Sequence, residues 1–332
     1  MRTSADGSIT ERLTALAAEL DIAAADRATV VAEALERAAS LQADAAARGF
    51  DLLVLAHCAY PALLAATADP PPVLWAQGPA DLDGPSVAIV GSRAATPSGL
   101  GVARELSRDL ARLGYTIVSG LAAGVDGAAH GAALDADGTT VAVLGTSLDC
   151  TYPARHRALQ AAIAERGRLL SEFAPPSPPE PWHFPRRNRI IAGLVRAVIV
   201  IEASARSGSL ITARLALEQG REVLAVPGSV PARRSSGCHA LIRDGARLVE
   251  SVDDVLEELE GIGAARQIDG PVENKSLFHS DLEAVMVRTE IFSVDDLAER
   301  TGRTVQEILA ELAHLEIEGR VTRASGGGWH RN

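Results

Sequence analysis

The feature that most constrains the fold is a series of six short apolar runs: Val87–Val90, Thr116–Val118, Val141–Leu144, Leu169–Leu170, Val198–Ile201 and Val223–Val226. Each is too short for a helix, and each gives way to small or polar residues and then to a segment of helical periodicity. Strands that read as continuous Val/Ile/Leu runs are covered on both faces, and alternation with helices makes parallel pairing the expected solution. The sequence therefore predicts an α/β fold, a doubly wound, Rossmann-like sheet over residues 80–258. Ligands of such sheets gather at the carboxyl ends of the strands.

Around this block the pattern changes. Residues 1–79 are rich in Ala, Leu and Glu at helical spacing up to about residue 66, with Asp69-Pro70-Pro71-Pro72 near the end, and are expected to form a helical lead-in. Residues 259–275, with Gly261, Gly263 and Gly270-Pro271, read as a linker. Residues 276–332 carry two helical stretches around Gly302 and a β-hairpin pattern from Gly319 to Trp329, the layout of a winged helix. Its second helix bears Glu307, Glu311, Glu316 and Glu318, which would face phosphates badly, so contact with protein is favoured over DNA reading.

Composition excludes several classes. The three cysteines, Cys58, Cys150 and Cys238, are scattered without zinc or disulfide spacing, which fits a reducing, cytoplasmic setting and no metal. The start has no signal-peptide core and no run approaches a membrane span. Net charge is −11, yet residues 151–250 hold 15 Arg against eight Asp and Glu, a local balance of +7. That segregation is the electrostatic footprint expected of a polyanion site. A single lysine, Lys275, among so many arginines points to coding bias, so Arg in place of Lys carries little weight at any one position.

Within the basic segment, Phe184-Pro185-Arg186-Arg187-Asn188-Arg189 sets three guanidiniums and an amide beside an aromatic ring at an apparent helix start. Arg matches phosphate oxygens and a ring stacks any base, although a helix start with solvated Arg and a buried Phe has the same sequence. Three strand ends carry small residues before a helix: Gly91-Ser92-Arg93, Ser119-Gly120 through Gly124, and Ser207-Gly208-Ser209. Free N–H groups at such helix starts bind anions. None forms a dinucleotide fingerprint or a Walker loop, so no cofactor is expected. Asp126 and His130, four apart, could form an acid/base pair. More economically they hold loops, as do Glu172 and Glu202 at strand ends, because no nucleophile accompanies them.

Assembled in order, these residues resemble the DprA/Smf DNA-processing family over nearly the whole chain. The blocks that carry the resemblance are Tyr60-Pro61, Asp69-Pro70-Pro71, Val90 to Arg93, Ser119 to Ala122 with Gly124, Asp126 and His130, Tyr152-Pro153, Ser171-Glu172, Phe184-Pro185 with Arg187 to Arg189, Ser207 to Ser209 with Thr212, and Val226 to Gly228. His239 stands where that family usually has Asn. The resemblance implies a non-enzymatic, homodimeric binder of single-stranded DNA. It also implies a protein that helps load the RecA recombinase, with single-strand-binding protein as a further partner, in natural transformation. By position it implies that Ser92, Arg93 and the Ser119-Gly120 loop hold phosphates, that Arg187 and Arg189 clamp the backbone, and that Phe184 supports or stacks. Two alternatives compete. One is a nucleotide-processing, phosphoribohydrolase-like enzyme using Asp126, His130 and Glu202, which lacks that class's P-G-G-x-G-T signature here. The other is a transcription regulator built on the winged helix.

Overall fold

The computed structural model describes residue 23, residues 26–55 and 57–260, and, near the C-terminus, residues 292–301 with single positions and short runs between 304 and 331. The chain divides into two units, residues 1–266 and 267–332.

All six apolar runs become strands: β3 (Ser86–Gly91), β4 (Thr116–Ser119), β5 (Thr140–Val143), β6 (Arg168–Ser171), β7 (Ala197–Ile201) and β8 (Glu222–Ala225). With β1 (Asp51–Val54), β2 (Val73–Gln77) and β9 (Arg247–Leu248) they form one nine-stranded sheet in the order β1-β2-β6-β5-β4-β3-β7-β8-β9. From β6 to β9 every pairing is parallel. The chain steps outward from β3 through β4 and β5 to β6, then returns to lay β7 on the other side of β3. The crevice between the carboxyl ends of β3 and β7 is the topological switch point.

Helices cover both faces. Alternate residues of each central strand point opposite ways, so Val87 and Ile89 pack with α3 (Pro97–Arg112), α4 (Val125–Asp135) and α9 (Val252–Glu260). Ala88 and Val90 pack with α2 (Ala62–Ala65), α6 (His183–Gly193) and α7 (Ser209–Glu218) on the other face. Val198, Ile199 and Val200 are wholly buried, each contributing about 1.5–3 kcal/mol of transfer free energy. Among the described residues of this unit, the other α-helices are α1 (Arg27–Arg48), α5 (Arg157–Arg166) and α8 (Ser236–Arg243).

The lead-in departs from expectation. Helix α1 is present, but residues 51–54 and 73–77 pair antiparallel with each other, and β2 pairs antiparallel with β6. They extend the main sheet, so it begins well before residue 80. Trp75, only 3% exposed, explains the choice: it packs among Leu144, Leu169 and Ile163, apolar surface that a separate helix would leave in water.

In the second unit, α10 (Val294–Thr301) opens with a reciprocal cap. Ser293 Oγ donates to Asp296 Oδ2 at 2.6 Å and accepts from the Asp296 N–H at 3.1 Å. Strands β10 (Val321–Arg323) and β11 (Trp329–Arg331) form an antiparallel hairpin, and Phe292, Leu297, Ile308, Leu312 and Trp329 make its core. The linker after Glu260, Gly302, and Glu307, Glu311 and Glu318 lie outside the described residues. Among the described residues, no helix is long and apolar enough to cross a membrane.

Candidate functional site

The switch point is tightly built. A Cβ on Gly91 would meet the Ile201 carbonyl oxygen at 2.0 Å, so only glycine lets β3 end this close to β7. Beyond it the Ser92 N–H donates to the Ile201 carbonyl at 3.3 Å, and the Ser92 carbonyl accepts from Val125 N–H at the start of α4 at 3.2 Å. Gly124, at φ +82°, closes this contact, since a Cβ there would lie 2.1 Å from Ser92 O. The Ser92 hydroxyl accepts from the Ala94 N–H at 3.2 Å. The turn thus fixes its own backbone and projects an exposed Arg93, whose guanidinium carbon lies 5.4 Å from the centroid of the Phe184 ring. Among the described residues no carboxylate pairs with Arg93.

Arg187 is its opposite in environment. It is 4% exposed, and its Nη1 donates to the carbonyls of Gly120, at 2.7 Å, and of Val143, while Nε donates to Asn188 Oδ1 at 3.2 Å. A Cβ on Gly120 would strike the guanidinium at 2.4 Å. The buried Asp126 carboxylate accepts the N–H groups of Gly120 at 3.1 Å and Ala122 at 3.3 Å. Burial pulls Arg187 down to about 10, opposed by Asp126, so it stays charged at neutral pH; burial likewise raises Asp126, opposed first by Arg187. The pair pins the loops after β4 and β5.

His130 belongs to the same buried layer but does not bond Asp126. The Thr140 hydroxyl donates its single proton to the Ile117 carbonyl at 2.7 Å, so the 2.7 Å contact with His130 is a donation from Nδ1–H. Burial, reinforced by His156 and Arg187, lowers His130 to about 3 and keeps it neutral. Glu202, at φ +50°, accepts from the Thr96 N–H at 2.7 Å and from the Thr96 hydroxyl. Thr96 in turn caps α3 by accepting from Gly99 N–H at 3.1 Å.

Helix α6 sorts the residues of the arginine run by face. Phe184, Arg187 and Asn188 line a cleft of about 760 Å³ over the switch point. Arg186 and Arg189 do not. Arg186 makes a bidentate pair with Glu172 at 3.0 and 3.1 Å, and Arg189 bonds Glu172 and, at 3.1 Å, Asp69. Gly91, Ser92, Arg93, Ser207, Gly208 and Ser209 also line the cleft, the last three at the start of the ten-residue α7. Gly120 lies in an adjoining recess of about 70 Å³ beneath Tyr152 and Phe184. Ser119 faces the core instead, its hydroxyl donating to the Ile89 carbonyl at 2.6 Å.

Sequence reasoning did not place Tyr152 in the site. Its ring is tilted against Phe184 with centroids 5.3 Å apart, and it stands 44% exposed at the rim. Its signal was compositional: aromatics are scarce here, and this one follows the Gly145-Thr146-Ser147 turn at a strand end. The cleft thus combines one unpaired guanidinium, a second held rigidly below, hydroxyls at a helix start and two rings. Such a surface suits a phosphodiester carrying unpaired bases. Among the described residues no cluster of His, Cys, Asp or Glu is arranged to hold a metal.

Comparison with known proteins places this architecture. A profile described as DNA recombination-mediator protein A matches residues 51–260, and one described as DprA winged helix domain matches residues 287–327. The chain is 44% identical over 279 residues to Protein Smf of Escherichia coli, spanning 81% of this chain and 74% of that one. It is 49% identical over 208 residues to DNA processing protein DprA of Streptococcus pneumoniae, 62% and 73% of the two chains. The X-ray structure of the Streptococcus pneumoniae DNA processing protein A superposes with TM-score 0.61 at 48% identity over 63% of this chain and 74% of that one. DNA processing protein A of Helicobacter pylori, described for its unique single-stranded DNA binding mode, superposes with TM-score 0.57 at 33% identity over 63% and 95%. Because the matched segment 51–260 takes in the whole nine-stranded sheet with its cleft, the chain belongs to the DNA recombination-mediator protein A family, the DprA/Smf proteins.

Proposed function

We propose that the switch-point cleft binds single-stranded DNA and that the protein acts as a recombination mediator without catalysing a reaction. In this reading Arg93, Ser92 and the Ser207–Ser209 helix start take backbone phosphates, and Phe184 with Tyr152 takes a base. Arg187, Asp126 and Asn188 hold the loops around them. The observation that carries the reading is Arg93, unpaired and lying over an aromatic ring that lines the same cleft.

The shortage of free charge suits a mediator. Affinity for nucleic acid scales with phosphates neutralised, and a cleft with so few free cations holds its strand weakly enough to pass it on. Transfer to the RecA recombinase, with single-strand-binding protein as the competing occupant, and a role in natural transformation complete the proposal. A homodimer is part of it too: among the described residues β9 is the last strand of the sheet, with Leu248 40% exposed, a surface that pairing with a second copy would cover. Enzymatic alternatives draw less support, since Asp126, His130 and Glu202 are each held by hydrogen bonds to loops, a strand or a helix cap.

The test is fluorescence anisotropy with labelled oligo-dT and a matching duplex over a salt series. Preference for the single strand with a shallow slope, no steeper than about −2 in log K against log salt, is expected. Equal binding of duplex, or none at low salt, overturns the proposal.

A further inference from the structure

The chain holds eleven aromatic residues, three Trp, three Tyr and five Phe. Among the described residues only two are exposed, Tyr152 at 44% and Trp182 at 56%. A lone exposed ring is ordinary. Two from so small a stock, both beside one cleft, are not distributed as accident would place them. Tyr152 lines the cleft itself; Trp182 stands between Pro181 and Phe184, which line it, but is outside the lining.

Trp182 is also braced. It meets Phe173 edge-on at 5.9 Å and His183 at 4.1 Å, and Phe173 stacks on His183 at 3.8 Å. The His183 Nδ1–H in turn donates to the Gly145 carbonyl at 3.1 Å, tying this aromatic group to the end of β5. The segment before it, Pro175-Pro176-Ser177-Pro178-Pro179-Glu180-Pro181, has few free backbone torsions. It is anchored where Ser147 and Ser177 exchange hydrogen bonds at 3.0 and 2.9 Å. One turn along the helix, Arg186 is half-exposed and, with Arg189, shares the single buried carboxylate Glu172. Arg189 also pairs with Asp69 at 3.1 Å, so the charges of the group balance, and the half-exposed Arg186 is its guanidinium within reach of solvent, one turn from the ring.

We propose that Trp182 is a second stacking platform for single-stranded DNA, outside the cleft. It takes a nucleobase of the strand that crosses the Pro179–Pro181 rim, while Arg186 meets the adjoining phosphate. The proposal rests on the single-strand reading of the cleft. It makes affinity depend on length: a strand filling only the cleft misses the platform, and a longer one gains it.

The test uses the full chain. Trp75 and Trp329 are 3% and 2% exposed, so fluorescence quenching by oligonucleotide reports on Trp182. Titration with dT12 should quench emission with the same midpoint as its anisotropy, and Trp182→Phe should abolish the quench while keeping a ring. Trp182→Ala should shrink the affinity gain from dT3 to dT12 about tenfold. The proposal is overturned if dT12 binds without quenching, or if the dT3-to-dT12 gain is unchanged in Trp182→Ala. Loss of RecA capture with DNA binding intact would make the ring a protein contact and overturn it too. Failure of every oligonucleotide to bind the wild-type chain would instead remove the single-strand reading beneath it.

Discussion

On the cleft side of α6 the Arg187 guanidinium is buried between two backbone carbonyls, with Asp126 as its counter-charge. A short way round the same helix, Arg186 and Arg189 reach away from the cleft to share Glu172. Three arginines within four residues thus do two kinds of work, decided by what claims their N–H groups. Where carbonyls claim them, the side chain becomes scaffold and its removal strands buried partners. Where a carboxylate claims them near solvent, as at the half-exposed Arg186, the side chain remains an adjustable surface charge, while Arg189, 11% exposed, is held between Glu172 and Asp69. Among the described residues lining the cleft, Arg93 is the cation claimed by neither and so open to a ligand.

The sharpest break in this comparison is Arg187→Ala. It leaves Asp126 buried beside a void and two carbonyls without their donor, which should cost about 3–5 kcal/mol of stability. Denaturant titration checks this. An unchanged midpoint with weakened DNA binding would make Arg187 a ligand rather than a brace. The neutral His130 behind the cleft gives the next effect. Its folded pKa, about 3, lies below the unfolded value of about 6.5, so the unfolded chain binds the extra proton and stability falls as pH drops from 6.5 toward 3. From pH 7.5 to pH 5 the loss from this group should be about 2 kcal/mol. His130→Asn should flatten that part of the profile; an equal slope in the variant would assign the acid sensitivity elsewhere.

The central strands were plain in the sequence because complete burial leaves an unbroken apolar run, as in Val198–Ile201. Strands β1 and β2 were not, because they are short elements at one end of the sheet set among Ala-rich stretches: β1 is fixed by pairing with β2, and β2 by pairing with the distant β6. The glycine turns were legible at Gly91 and Ser207–Ser209, where small residues open a helix. Ser119 looked alike in sequence, but the pleat turns its hydroxyl into the core. The arginine run showed its chemistry and hid its division. Helical spacing already separates 184, 187, 188 and 191 from 186 and 189, yet only the position of Glu172, brought by β6, says where the second pair goes.

Arg93→Ala tests the other arm of the comparison. With no partner to strand, the variant should melt with the wild type while binding oligo-dT about tenfold more weakly. Its salt slope should be shallower by about 0.7, the value for one phosphate contact on a single strand. A large fall in melting temperature would show that Arg93 also holds the turn.

Arg186→Ala should have the smallest effect and places the finest limit on the distinction between faces. Glu172 keeps Arg189 when Arg186 goes, so no buried carboxylate is left without a cation. The lost pair has a half-exposed member, and such pairs contribute about 0–1 kcal/mol. Stability should therefore move by no more than about 0.5 kcal/mol, while dT12 binding weakens two- to threefold if Arg186 meets a phosphate beside Trp182. Paired melting and anisotropy measurements on this variant and Arg187→Ala decide the matter. If Arg186→Ala destabilised the fold as much as Arg187→Ala, both faces of α6 would be scaffold, and the Arg186 guanidinium would have no claim on DNA.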